Sequence, residues 1–133
     1  NLNTAFIVSS IVVEKMVRKR TKGVIINMSS ISAVGNAGQT AYSAAKAGLI
    51  ALTKTWSKEL GAFGIRSVAI APGFIDTKST SLALNDGIKK HILKNTPLKK
   101  LGNINDITKS ILFTIENDFL NGTVIDVDGG LTI

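Results

Sequence analysis

No cysteine occurs among the 133 residues, so neither a disulfide framework nor a thiolate metal site is available. That absence suits a reducing compartment. The single histidine, His91, has no acidic cluster around it and reads as a solvated helix position, and metal-ligand spacing of His and carboxylates is missing throughout. Aromatics make up only 5% of the chain, too few to interleave with basic residues as a base-stacking platform does. Sixteen Lys+Arg against nine Asp+Glu give a net charge of +7, but the lysines are scattered. Nucleic-acid binding is therefore not expected, and drift towards Lys, Asn and Ile explains the charge equally well. No apolar run reaches the roughly 18 residues that span a membrane. The opening Asn1–Phe6 lacks the basic start and apolar stretch of a signal peptide, and reads as a chain that begins mid-domain.

What is present describes a globular chain. Hydrophobic residues reach 44% and mean hydropathy is +0.26, enough for one domain with a real core. Without repeats, low-complexity tracts or linkers, residues 1–133 read as one unit. Helical spacing of Phe6, Ile7, Val13, Met16 and Val17 predicts a helix from about Leu2 to Lys22, its last turn crowded with Arg18, Lys19, Arg20 and Lys22 and stopped by Gly23. Val24–Met28 is a short apolar run of the kind buried on both faces of a parallel sheet. A second helix is expected over Thr40–Leu60, with small residues Ala41, Ala44, Ala45, Gly48 and Ala51 on one face, and Gly61 and Gly64 at its end. Trp56 on this helix reads as packing. Ile65–Ala71 is the next buried strand, and the pattern weakens from Pro72 to Gly102 into a loop with one or two short helices. Ile104–Glu116 reads as a helix capped by Asn103 or Asn105, and Thr123–Val127 as a last strand. This alternation implies crossover connections and a parallel α/β sheet.

Ligand chemistry in such sheets gathers at the carboxyl ends of strands. Ser29 follows the first strand, Pro72-Gly73 the second, and Tyr42 opens the helix between them. Tyr42-Ser43-Ala44-Ala45-Lys46 places a phenol and an ammonium one turn apart on one helix face. An ammonium near a phenol favours its deprotonated form, the tuning that an acid–base catalyst needs. Ser29, thirteen positions before the tyrosine, can hold a carbonyl oxygen by a hydrogen bond. Ser30 has the same chemistry, but the offset favours Ser29 and argues against Ser32. Taken singly, each motif has a plain alternative: an exposed polar pair on a surface helix, a serine ending a strand, a Pro-Gly turn.

Together, Val24–Ser30, the Gly35/Gly38 loop, Tyr42–Lys46, Ala71–Thr77 and Asp126–Gly130 resemble the short-chain dehydrogenase/reductase family. Within it the likeness is to bacterial-type 3-oxoacyl-[acyl-carrier-protein] reductases, and it runs over nearly the whole chain. The resemblance implies a Rossmann-like doubly wound parallel sheet, here its C-terminal portion. The Gly-rich phosphate turn of the N-terminal dinucleotide-binding half is not present in the sequence. It also implies a cytoplasmic, homo-oligomeric oxidoreductase of fatty acid synthesis, a dimer or tetramer built through the first two helices. The cofactor would be NADP(H) ahead of NAD(H), although the residues choosing between them would lie upstream.

By that resemblance Tyr42 is the general acid in reduction and Ser29 the carbonyl holder. Lys46 tunes Tyr42 and bonds the nicotinamide ribose, so both helix residues also contact cofactor. Asn1 aligns with an active-site asparagine supporting a water-mediated relay to the lysine; an ordinary polar cap is the other reading, and Asn3 competes. Pro72, Gly73, Ile75 and Thr77 match the loop over the nicotinamide carboxamide, with main-chain groups from Ile75 and a hydroxyl from Thr77. Where an acidic residue and methionine often follow that threonine, Lys78 and Ser79 stand here. Asp126 and Asp128 are implied to be structural, near a subunit interface. Arg20 stands where carrier-dependent reductases carry a basic residue, while Phe63 occupies a later position that is often basic; the basic group is thus either a matched helix end or a dock for acyl carrier protein. The catalytic residues do not choose among a 3-oxoacyl thioester, a steroid, a sugar or a small alcohol, since preference would sit in Phe74–Leu98. A partial chain without independent activity, working only with a completing chain, is a separate reading.

Overall fold

A computed structural model describes residues 1–78, 80 and 84–133. Three parallel strands, β1 (Gly23–Met28), β2 (Ile65–Pro72) and β3 (Val124–Val127), form one sheet in the order β1-β2-β3. Gly23 pairs with Ile65 and Met28 with Ile70; Ala69 pairs with Val124 and Pro72 with Val127. Helices α1 (Leu2–Arg18) and α2 (Thr40–Leu60) lie on the face presented by Ile65. Helix α4 (Ile104–Glu116) bonds to Arg66 on the opposite face, and α3 (Asp86–Asn95) lies between β2 and α4 in the chain. The sheet is therefore covered on both sides, as a doubly wound fold requires. No helix among the described residues is long and apolar enough to cross a membrane.

Helix α2 has the span that its sequence predicts, and α4 starts at a capping box in which Asn103 and Asp106 satisfy each other's backbone N–H groups. Between Asn103 and Asn105, the cap is Asn103. Helix α1 stops sooner than expected. Its end is a Schellman turn in which Arg20 N–H donates to the Val17 carbonyl (3.1 Å) and Thr21 N–H to that of Met16 (2.9 Å). Arg20 takes the left-handed conformation (φ 53°) in the position that glycine usually fills, so Gly23 opens β1 instead of closing the helix. Only Lys15 and Arg18 sit in the last turn, and Arg18 is paired with Glu14.

Strand β2 is buried along nearly its whole length, with Ile65, Val68, Ala69 and Ile70 wholly covered. Strand β1 is not. Only Asn27 in it is fully buried and Met28 is exposed, because among the described residues β1 pairs with β2 alone and forms an edge of the sheet. The core below the site is Trp56, Leu60 and Ile65, packed by Val13, Met16, Val17, Ile25 and Leu52. Phe6 stacks on Trp56 at 6.3 Å, which confirms the tryptophan as packing.

Arg66 ties α4 to the sheet. Its guanidinium donates to the carbonyls of Thr114 (2.9 Å), Ile115 (3.1 Å) and Leu120 (3.1 Å), supplying partners to the last turn of α4 and a cation at its negative end. Arg66→Met strands these carbonyls, and a loss of about 2–3 kcal/mol is expected in denaturant unfolding. Arg66→Lys should retain part of that stability.

Candidate active site

The carboxyl ends of all three strands open on one side of the sheet, and the start of α2 faces them. Ser29 extends the β1–β2 ladder by one residue, its N–H donating to the Ile70 carbonyl at 2.7 Å. The chain then makes a short 3₁₀ turn, Ile31–Val34, capped by Ser30, whose hydroxyl accepts the Ser32 N–H at 3.1 Å. This engages Ser30 locally and leaves Ser29 as the serine directed at α2.

Two reciprocal hydrogen bonds lock strand to helix there. Ser29 Oγ donates to the Lys46 carbonyl at 2.9 Å, and Lys46 Nζ donates to the Met28 carbonyl at 2.6 Å. Ser29 is 4% exposed. The Lys46 ammonium lies 5.5 Å from the centroid of the Tyr42 ring, one turn earlier on α2. Tyr42 is 39% exposed, and its hydroxyl makes no hydrogen bond among the described residues. The fold thus gathers a buried hydroxyl, a fixed ammonium and an accessible phenol. With a hydroxyl to orient a carbonyl and a phenol to exchange a proton, this set suits acid–base chemistry at a carbonyl group.

The loop after β2 forms the second wall. Gly73 N–H donates to the Val127 carbonyl at 3.0 Å, which holds the loop against the end of β3. Ile75 bridges to Gly102 through two bonds, from Gly102 N–H to the Phe74 carbonyl (3.0 Å) and from Asp76 N–H to the Gly102 carbonyl (2.8 Å). In this parallel pattern the Ile75 N–H and C=O point away from Gly102, presenting one donor and one acceptor on the other side. A primary carboxamide needs that complement, so this main chain fits the nicotinamide end of a dinucleotide. Thr77 Oγ1 accepts the Thr80 N–H at 3.1 Å, and Pro72 ends β2 beside Gly73. Ser79 lies outside the described residues. Asn1 precedes α1, exposed, with its carbonyl accepting the Ala5 N–H at 3.3 Å and its side chain making no cap. No hydrogen bond joins it to Tyr42 or Lys46 among the described residues.

The Met28 and Lys46 carbonyls escape a reading of side-chain motifs, since any residue type supplies them. Asn27, a polar residue inside an apolar strand run, was a visible signal. Among the described residues no cluster of three or more His and carboxylates could hold a metal ion. His91 is exposed and bonded to Asn95 at 2.9 Å, as a solvated helix position should be.

Asp128 Oδ1 accepts the Gly130 N–H at 2.8 Å, shaping the closing turn. Desolvation by the surrounding chain, and then the Asp128 charge, hold the carboxyl of the exposed Asp126 above its ordinary value of 3.8. Because its folded pKa is raised, ionised Asp126 opposes folding; the penalty is full above the raised pKa and vanishes as pH falls below 3.8. Asp126→Asn should raise Tm modestly at neutral pH and give no gain below that value in a pH series of thermal melts.

Residues 1–132 match the family described as enoyl-(acyl carrier protein) reductase. The chain belongs to the short-chain dehydrogenase/reductase family. It is 45% identical, over 98% of its length and 53% of the relative's, to the 3-oxoacyl-[acyl-carrier-protein] reductase FabG of Chlamydia trachomatis serovar D. A 3-oxoacyl-[acyl-carrier protein] reductase structure from Brucella melitensis superposes with a TM-score of 0.92 at 31% identity, covering 100% of this chain and 50% of that one. A 4-hydroxyisoleucine dehydrogenase mutant complexed with NADH and succinate also gives 0.92, at 34% identity, over 98% and 55% of the two chains. The chain spans about half the length of the relatives it matches.

Proposed function

We propose that this chain is the carbonyl-reducing portion of an NAD(P)H-dependent reductase that converts a 3-oxoacyl thioester to the 3-hydroxyacyl thioester. The observation that carries the reading is the Ser29–Lys46 lock beneath an exposed Tyr42, at the strand ends where such sheets bind ligands. A bound nicotinamide cofactor supplies the hydride that the carbonyl carbon receives. Ser29, redirected from the Lys46 carbonyl, donates to the substrate oxygen and orients it. Tyr42 delivers the proton to that oxygen as it gains negative charge, and Lys46 stabilises the phenolate left behind. Pro72, Gly73, Ile75 and Thr77 line the carboxamide side, and Asn1 supports proton return to Lys46. Residues placed here meet only the nicotinamide end of the cofactor. We place NADP(H) ahead of NAD(H) on the likeness to 3-oxoacyl reductases.

Fold does not choose the substrate, since an acyl reductase and a 4-hydroxyisoleucine dehydrogenase superpose equally well. The 45% identity to a 3-oxoacyl reductase favours the thioester over a steroid, sugar or small alcohol. An acidic acyl carrier would meet the groove of about 520 Å³ lined by Val17, Arg20, Lys22 and Phe63. A dimer or tetramer would form through α1, where Ile7, Val8, Ile11 and Val12 are exposed, together with α2. A second reading, in which the stretch acts only with a completing chain, is supported by the outer edge of β1, unpaired among the described residues, and by the 53% span of the Chlamydia relative. Product analysis with paired 3-oxoacyl and 2-enoyl thioesters tests the reading. The 3-hydroxyacyl product from the first and no reaction with the second is expected; a saturated product from the second would overturn it.

A further inference from the structure

We propose that Asn27 and Thr53 are positioning residues that set the register of α2 on β1, and through it the geometry of Ser29 and Lys46. The inference rests on the carbonyl-reductase reading of that site for its kinetic consequence, though not for its geometry. Alternation along β1 puts Ile25, Asn27 and Ser29 on the same face. Each meets α2 at a successively earlier residue. Ile25 packs on the Trp56–Leu60–Ile65 cluster, Asn27 Nδ2 donates to Thr53 Oγ1 at 2.8 Å, and Ser29 Oγ donates to the Lys46 carbonyl at 2.9 Å. The middle contact is the most secluded of the polar ones, with Asn27 5% and Thr53 0% exposed.

Its direction is fixed as well. Thr53 Oγ1 donates its own proton to the Leu49 carbonyl at 2.8 Å, so towards Asn27 it acts as an acceptor. An apolar contact lets a helix slide or rotate over a strand with little penalty, because the attraction is non-directional. A buried amide does not. A shift of roughly 1 Å takes it out of hydrogen-bond range with no water to replace its partner. An aliphatic residue at position 27 would suit an apolar strand better, and a buried polar pair is the device by which packed elements specify register. Lys46 stands seven residues, two turns, before Thr53 on the same helix face, and Tyr42 one turn further. Any slip of α2 that breaks the Asn27–Thr53 bond is carried along the rigid helix to the Ser29–Lys46 and Lys46–Met28 bonds.

Thr53→Val keeps shape and removes the acceptor; Thr53→Ser keeps the acceptor. The expected result for Thr53→Val is a kcat lower by about 10–100-fold, the scale of an ångström misplacement, with a smaller change in thioester KM. Its crystal structure should show the Ser29 hydroxyl parted from the Lys46 carbonyl, while Thr53→Ser keeps wild-type kcat. Wild-type kcat in folded Thr53→Val, or an equal loss in Thr53→Ser, would overturn the proposal. So would a Thr53→Val crystal structure in which both Ser29–Lys46 and Lys46–Met28 bonds persist, a criterion that holds even if the wild type turns over no substrate. Inactive wild type would count against the reductase reading alone. If Thr53→Val does not fold, Asn27→Ala is judged by the same two criteria.

Discussion

Tyr42→Phe is expected to lower kcat for carbonyl reduction by about 10²–10⁴-fold, the usual contribution of a positioned general acid. The fold should not notice the change. Tyr42 is 39% exposed, its hydroxyl holds no partner among the described residues, and phenylalanine keeps the ring beside the Lys46 ammonium. Thermal melting should therefore match the wild type, and cofactor affinity should persist. Steady-state kinetics beside a melting curve separate this outcome from misfolding. A folded variant with comparable turnover would remove Tyr42 from the proton-transfer role.

Gly73→Ala should damage both stability and cofactor binding. A Cβ at this position would lie 2.8 Å from Asp128 Cα, 3.0 Å from its Cβ and 3.2 Å from its carbonyl oxygen. Backbone cannot yield as the tip of a long side chain does. Asp128 is held by its bond to Gly130 N–H, and Gly73 by its bond to the Val127 carbonyl. The added carbon must push the residue 73–77 loop away from β3. Overpacking of this kind costs about 1–3 kcal/mol, read as a lower Tm. The same displacement moves the Ile75 main chain from its bridge with Gly102, so cofactor KM should rise several-fold while kcat at saturation falls less. Unchanged cofactor KM in a destabilised variant would detach the loop from cofactor binding.

The parts of this molecule that were legible in its sequence are those written in side-chain pattern. The start and end of α2, a cap of α4 at Asn103 or Asn105 and the buried run of β2 follow from periodicity and capping chemistry, and the structure places the cap at Asn103. The convergence of Ser29, Tyr42, Lys46 and the Pro72-Gly73 turn on one side follows from parallel topology alone. Illegible features depend on main-chain atoms or on neighbours distant in sequence. Arg20 ends α1 in a conformation that sequence preference assigns to glycine, so the boundary shifted by four residues from Lys22 to Arg18. The exposure of β1 depends on which strands flank it, and an apolar run does not carry that information. The 3₁₀ turn at Ile31–Val34 is too short for any periodicity. The lock between Ser29 and Lys46 uses two carbonyl oxygens, which no residue type announces.

We propose that the Ser29–Tyr42–Lys46 site holds and protonates a carbonyl oxygen while a nicotinamide cofactor gives hydride to the carbonyl carbon. The direct test incubates the protein at its native length with NADPH carrying deuterium at both C4 positions and a 3-oxoacyl thioester. A 3-hydroxyacyl product with one deuterium on carbon 3, read by mass spectrometry, is expected, as is its loss in Tyr42→Phe. Cofactor binding without any labelled product, or a label on another carbon, would contradict it.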